Sequence, residues 1–167
     1  MSTIVERVTA VIAAAEDIPE SNVVEKESDW RFAGGRVFSG PSLEIMAYRG
    51  HAAVSARLAH PKRLTVRATV PVRSTSVAAL ENVVRIARRN VEILARAYDD
   101  LERAGYTVNP GTGSSPYPGS GLTVRGDGLL AWIHADGLAG RFYVTGQRDE
   151  RGAYGRVYYD ALDVINL

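Results

Sequence analysis

The chain has 167 residues, 46% hydrophobic and 23% charged, with 20 basic side chains against 19 acidic ones for a formal charge of +1. A chain of that size buries roughly 70% of the surface it exposes when unfolded, so it sustains a core, and its composition excludes a disordered or collagen-like polymer. Cysteine is absent, which excludes a disulfide framework, a thiolate nucleophile, an iron–sulfur cluster and cysteine-ligated zinc, while the near-neutral balance argues against a uniformly basic nucleic-acid binder.

The first element expected is a helix. Thr3 and Glu6 have capping-box spacing, Ile4, Val8, Val11, Ile12 and Ala15 recur on one helical face, and Pro19 forbids continuation. Residues 8–15 behind Arg7 superficially resemble the apolar core of a signal peptide, but Glu6 offsets Arg7 and the run is short, so the amphipathic helix is preferred. No apolar run approaches the ~20 residues of a membrane span. The expectation is a cytoplasmic protein that does not enter a membrane.

From about residue 23 to 72 the period falls to two. A turn at Gly50-His51 places Leu43 opposite Leu58, Ile45 opposite Ala56 and Ala47 opposite Val54 on an apolar face, with Glu44 meeting Arg57 on the other. Leu64, Val66, Ala68, Val70 and Val72 continue the inward face. Upstream, Gly34-Gly35 is read as a turn between strands 30–33 and 36–39.

Residues 76–104 carry the strongest helical signal. Val77, Leu80, Val84, Ala87, Val91, Leu94, Tyr98 and Leu101 alternate three and four apart, and Gly105 is a natural stop. Its polar side sets Glu81 before Arg85, Glu92 before Arg96 and Asp99 before Arg103, the favourable acid-first order for ion pairs on a solvated face. The apolar side, widened by Val83, Ile86 and Ile93, suits a sheet better than a coiled-coil seam.

A Gly/Pro/Ser-rich stretch, 109–121, precedes a second meander. Turns at Asp127-Gly128 and Asp136-Gly137 put Leu122 opposite Ile133, Val124 opposite Ala131, Ala131 opposite Phe142 and Leu129 opposite Val144. A last strand is expected over 153–163. The expected fold is therefore α+β: two antiparallel meanders, each preceded by a helix (α-β(n)-α-β(4)), with the long second helix packed on the sheet face. Residues 1–167 read as one domain, with a topological pseudo-repeat of 1–73 and 74–167 but no repeated residue string.

Catalytic motifs are missing: the sequence has no nucleophile elbow, H-E-x-x-H, Walker loop or EF-hand loop. Pro116 breaks the only approach to a dinucleotide fingerprint. His51, His60 and His134 lack a carboxylate or second histidine at ligand spacing, so no catalytic residue, metal site or cofactor is expected. Arg125-Gly126-Asp127 spells an adhesion tripeptide, but Asp127-Gly128 reads first as a hairpin turn.

The candidate partner-binding residues lie on the outer face of the second meander: Arg125, Leu130, Trp132, His134, Arg141 and Tyr143. The expected register sets Trp132 opposite Thr123 and Arg141, as a cation–π pair, and Leu130 opposite Arg125 and Tyr143, an exposed partner surface unless another helix or loop covers Leu130 and Trp132 as a second core layer. The preferred reading is a non-catalytic interaction or assembly protein, such as a chaperone-like adaptor or a component of a larger particle like a phage assembly, whose partner is another protein or its own copy. The alternatives are a hydrophobic-ligand domain or weak enzyme with a pocket between helix 76–104 and the sheet and, less favoured, a single-strand nucleic-acid binder.

The charge is unevenly laid out. Residues 1–29 carry two basic and seven acidic groups, net −5; residues 30–96 carry twelve and three, net +9; residues 97–167 carry six and nine, net −3.

Overall fold

A computed structural model describes residues 2–27, 35–111, 119–136, 141–148 and 154–158. The expected strand 30–33, most of the loop 109–121 and the ends of the expected strand 153–163 lie outside them, and the partner of strand 36–39 on its N-terminal side is 24–27 in place of 30–33. The fold is mixed α+β, with two antiparallel sheets and a long helix packed on a sheet. The chain forms two compact units, the first from Met1–Ala56 and Val70–Ala87, the second from Arg57–Thr69 and Arg88–Leu167.

In the first unit, helix α1 (Ile4–Glu16) starts where the sequence places it. The Thr3 amide donates to Glu6 Oε2 at 2.7 Å and the Glu6 amide to Thr3 Oγ1 at 3.2 Å, the reciprocal bonds of a capping box. The helix ends at Asp17, which adopts the left-handed conformation (φ 52°). Its buried face, Val8, Val11, Ile12 and Ala13, lies against strands β2 (Arg36–Ser39) and β3 (Leu43–Tyr48). The Arg7 Nε–H group donates to the Thr75 carbonyl at 3.0 Å and ties the helix to the segment preceding the long helix.

One close approach fixes the angle of α1 on the sheet. The Glu16 carboxylate accepts the amide of Ser42 at 2.7 Å and also its hydroxyl, and it covers Gly40. A Cβ at Gly40 would collide with that carboxylate and come within 2.9 Å of Ile12 Cγ2. Glycine is required here for space.

The first sheet has the order β1-β2-β3-β4-β5, with β1 Val24–Glu27, β4 His51–His60 and β5 Leu64–Val72. The β3–β4 turn differs from the expected one. Arg49 and Gly50 are its central residues (φ 39° and 82°), as in a type I′ turn, and the ladder pairs Tyr48 with His51, Ile45 with Val54 and Leu43 with Ala56. Gly50 takes the second central position, where positive φ is easiest for glycine, and each expected partner moves by two residues. A shift of two preserves which face each side chain occupies, so Leu43, Ile45, Ala47, Val54 and Ala56 are still buried together. Burial exceeds one face on β4: Ala52 through Ala56 are all buried, with only the small side chains Ala53 and Ser55 on the second face.

Helix α2 (Val77–Arg103) contributes its first turns to the first unit and the remainder to the second. The Ser76 hydroxyl accepts the Ala79 amide at 3.4 Å at its start. At its end Gly105 (φ 95°) donates to the Glu102 carbonyl and Tyr106 to that of Leu101, the paired bonds of a Schellman stop. Leu80, Val84, Ala87, Val91, Leu94, Tyr98 and Leu101 are buried as their spacing requires, whereas Val77, in the first turn, is exposed.

The second unit holds the sheet β10-β9-β8-β7-β6, with β6 Thr107–Pro110, β7 Leu122–Gly126, β8 Leu129–Asp136, β9 Arg141–Arg148 and β10 Tyr154–Tyr158. Strand β6 has no expected counterpart. It buries only Val108 and ends in proline, which an edge strand tolerates but alternation does not signal. The β7–β8 hairpin matches expectation: Asp127 and Gly128 turn with positive φ, Leu122 pairs with Ile133 and Val124 with Ala131.

The next connection is longer than a two-residue turn. Asp136 pairs with Arg141, so residues 137–140 connect the strands, and Ala131 lies opposite Gly146 and Leu129 opposite Arg148, in place of Phe142 and Val144. The displacement is four residues. Even displacements keep the inner face inner, so the alternation that selects the face cannot select between these registers. Val108, Leu122, Val124, Leu129, Ala131, Ile133 and Val144 form the buried side of this sheet.

Candidate functional site

Among the described residues, the densest polar cluster unites residues the sequence keeps apart. All of it belongs to the second unit, where the β4–β5 tip meets the last turns of α2. His60 ends β4, its side chain only 7% exposed, and its Nε2 lies 3.0 Å from Asp99 Oδ1. The Lys62 amide points at His60 Nδ1 at 3.3 Å. An amide can only donate, so Nδ1 accepts and the ring proton sits on Nε2, directed at the carboxylate. Arg63 closes the turn in left-handed conformation (φ 60°), its amide donating to the His60 carbonyl.

Around this pair the remaining groups satisfy one another. The Tyr98 ring stacks at a tilt on His60 with centroids 4.9 Å apart, and its hydroxyl donates to Glu102 Oε1 at 2.8 Å. Lys62 pairs with the other oxygen of Glu102, its ammonium 5.7 Å from the Tyr98 ring centroid. Burial, the hydrogen bond to Glu102 and the negative charges of Glu102 and Asp99 push the Tyr98 phenol up to about 12. Hydrogen bonds from Lys62 and Tyr98 hold the Glu102 carboxyl below its ordinary value. An imidazole base needs one nitrogen free to face its substrate. Here the chain occupies both, so the geometry is that of a clamp between hairpin and helix.

The polar contacts along α2 differ from the expected ion pairs. Asp99 accepts from His60, and Arg103 pairs with Asp100 at 2.8 Å. Arg85 donates to Asn82 Oδ1, and Arg96 to the Glu92 backbone carbonyl, in place of the acid-first pairs with Glu81 and Glu92. His60 and Asp99 are distant in sequence, and the local signals are limited to the His-Pro-Lys turn and the two acids that follow Tyr98.

The candidate partner face is set by β7 and β8. Along β8, buried Leu129, Ala131 and Ile133 alternate with part-exposed Leu130, Trp132 and His134, and Arg125 on β7 is exposed. The ladder sets Trp132 between Thr123 and Thr145, Leu130 between Arg125 and Gln147, and His134 opposite Tyr143. Two expected neighbours are corrected by the four-residue register difference. Tyr143 pairs with His134 and not Leu130, and Arg141 pairs with Asp136 and not Trp132. The backbone of Arg141 lies four residues beyond Trp132's partner, about 13 Å along the strand, so the ladder does not build the expected cation–π pair. Burial lowers the His134 pKa, so its ring is uncharged at neutral pH.

The Arg125-Gly126-Asp127 tripeptide sits at the β7–β8 turn. Gly126 (φ 147°) lies under Tyr106, whose Cδ1 a Cβ would approach to 3.2 Å. Among the described residues no three histidine, cysteine, aspartate or glutamate side chains converge as metal ligands, and no helix is long and apolar enough to cross a membrane. Comparison with protein-family models, with curated proteins and with solved structures finds no match to this chain.

Proposed function

We propose that the protein is a non-catalytic interaction or assembly module, a chaperone-like adaptor or a component of a larger particle, that binds another protein or its own copy through the outer face of the β7–β8 ladder. The observation that carries this reading is the alternation along β8. Leu129, Ala131 and Ile133 already fill the inner face, so Leu130, Trp132 and His134 are surplus to that core and remain part-exposed beside Arg125. A tryptophan and a leucine next to an arginine and an uncharged histidine is the composition of an interface centre. The clamp supports the same reading, because its groups are consumed by one another. Arg141 does not stand beside Trp132, a loss shared by this reading and the nucleic-acid alternative, since both drew on the aromatic–arginine patch.

Acrylamide quenching of Trp132, in a Trp30→Phe background, tests the proposal together with sedimentation velocity. Trp132 emission should be quenchable in the dilute protein and become shielded as the protein self-associates or receives its partner. A strict monomer whose Trp132 is shielded from acrylamide at every concentration overturns it.

A further inference from the structure

The edge of the first sheet offers a second surface, independent of the β7–β8 face. Among the described residues, strand β1 pairs with β2 on one side only, and all four of its residues are exposed, Val24 to 50%. Antiparallel pairing engages the N–H and C=O of alternate residues, so the other two residues of β1 turn theirs away from β2. The opposite edge of the same sheet is already in use, since the Arg67 carbonyl of β5 accepts the Gly121 amide at 2.8 Å and the Ser120 hydroxyl. Among the described residues nothing comparable reaches β1.

We infer that β1 is a docking edge for an extended basic segment of another protein, which adds to the sheet as a further antiparallel strand. The charges select this occupant. Glu25 and Glu27 share one face of β1; Arg36 pairs with Glu25 at 2.7 Å, and among the described residues Glu27 has no ion-pair partner. The surrounding segment 1–29 has a net charge of −5.

A second copy of the chain fits poorly. Residues facing each other in an antiparallel ladder must both turn their backbone groups inward or both outward. Two β1 strands paired over more than one residue therefore meet with Glu25 against Glu25 of the partner subunit, or with Lys26 against Lys26 of the partner subunit and Glu25 against Glu27 of the partner subunit. Each register sets like charges opposite, which is destabilising and is how natural edges prevent self-pairing. A strand with arginine or lysine at alternate positions reverses that sign and leaves an apolar residue free to cover Val24.

The test uses the full chain and a short capped peptide alternating arginine with valine, with binding followed by fluorescence anisotropy. The expected result is saturable binding with new amide protection confined to residues 24–27. It should be lost when the peptide's alternate amides are N-methylated, and weakened about twofold to fivefold by Glu27→Gln. Glu27 is exposed, so circular dichroism should show the variant folded. Equal binding of the N-methylated peptide, which keeps every charge, would mean diffuse attraction and overturn the inference, as would amide protection elsewhere or indifference to Glu27→Gln. None of these outcomes depends on Trp132.

Discussion

Tyr98→Phe isolates one bond of the clamp, because the ring stays and only the hydroxyl leaves. Tyr98 is 3% exposed, and its hydroxyl donates to a carboxylate held ionised by Lys62. Hydrogen bonds to charged groups contribute about 1.5–3 kcal/mol, and the lower end applies because Glu102 keeps Lys62. For 167 residues the unfolding entropy is about 0.35 kcal/mol/K, so a loss of about 1.5 kcal/mol lowers Tm by about 4 °C. The pH dependence gives a sharper signature. The phenol titrates near 10.0 when unfolded and near 12 when folded, so between these values the native state holds more protons and rising pH favours unfolding. The stability that wild type has over Tyr98→Phe is therefore complete below pH 10 and disappears as pH rises through about 12. Urea unfolding of both proteins at pH 8 and at steps above 10 measures this difference. Equal stability at pH 8, or a difference that stays constant or grows with alkalinity, would refute the clamp as described.

The two faces of β8 should respond oppositely. Ile133→Ala is expected to cost about 3 kcal/mol in urea unfolding, because Ile133 is fully buried, whereas Trp132→Ala should cost the free protein less and abolish partner binding. Gly40→Ala is expected to lose about 2 kcal/mol through collision with Glu16 and Ile12, and the Gly40→Ala/Glu16→Ala double variant should recover part of that loss in the same assay. Arg49→Asn should gain roughly 0.5 kcal/mol, because asparagine accepts positive φ at the first position of a type I′ turn more readily than arginine does. A rise in Tm checks it.

Local chemistry made much of the fold legible. Thr3 with Glu6, Gly105 after the long apolar stripe, and Asp127-Gly128 are short-range signals whose bonds the structure contains. The alternation also assigned the buried faces of β3, β5, β7 and β8 correctly, whereas Leu58, expected on the apolar face of β4, is exposed. It failed on partners, because a register error of two at β3–β4 and of four at β8–β9 leaves every face unchanged while replacing every neighbour. Arg141 was therefore set beside Trp132, an arrangement the ladder does not have. Strand β6 was missed because one buried valine followed by a proline makes no pattern. The clamp was invisible for a different reason: His60 and Asp99 meet only once the β4–β5 tip is laid on α2, and no local rule encodes that meeting.

The proposal that the β7–β8 face binds protein is tested most directly by photo-cross-linking in extracts of the native host. A benzophenone amino acid is placed at Thr123, beside Trp132 in the ladder, and compared with the same group at exposed Arg89 on α2. The predicted result is one discrete adduct from position 123, absent from position 89 and removed by Trp132→Ala. No adduct at 123, or the same adducts from both positions, would contradict it.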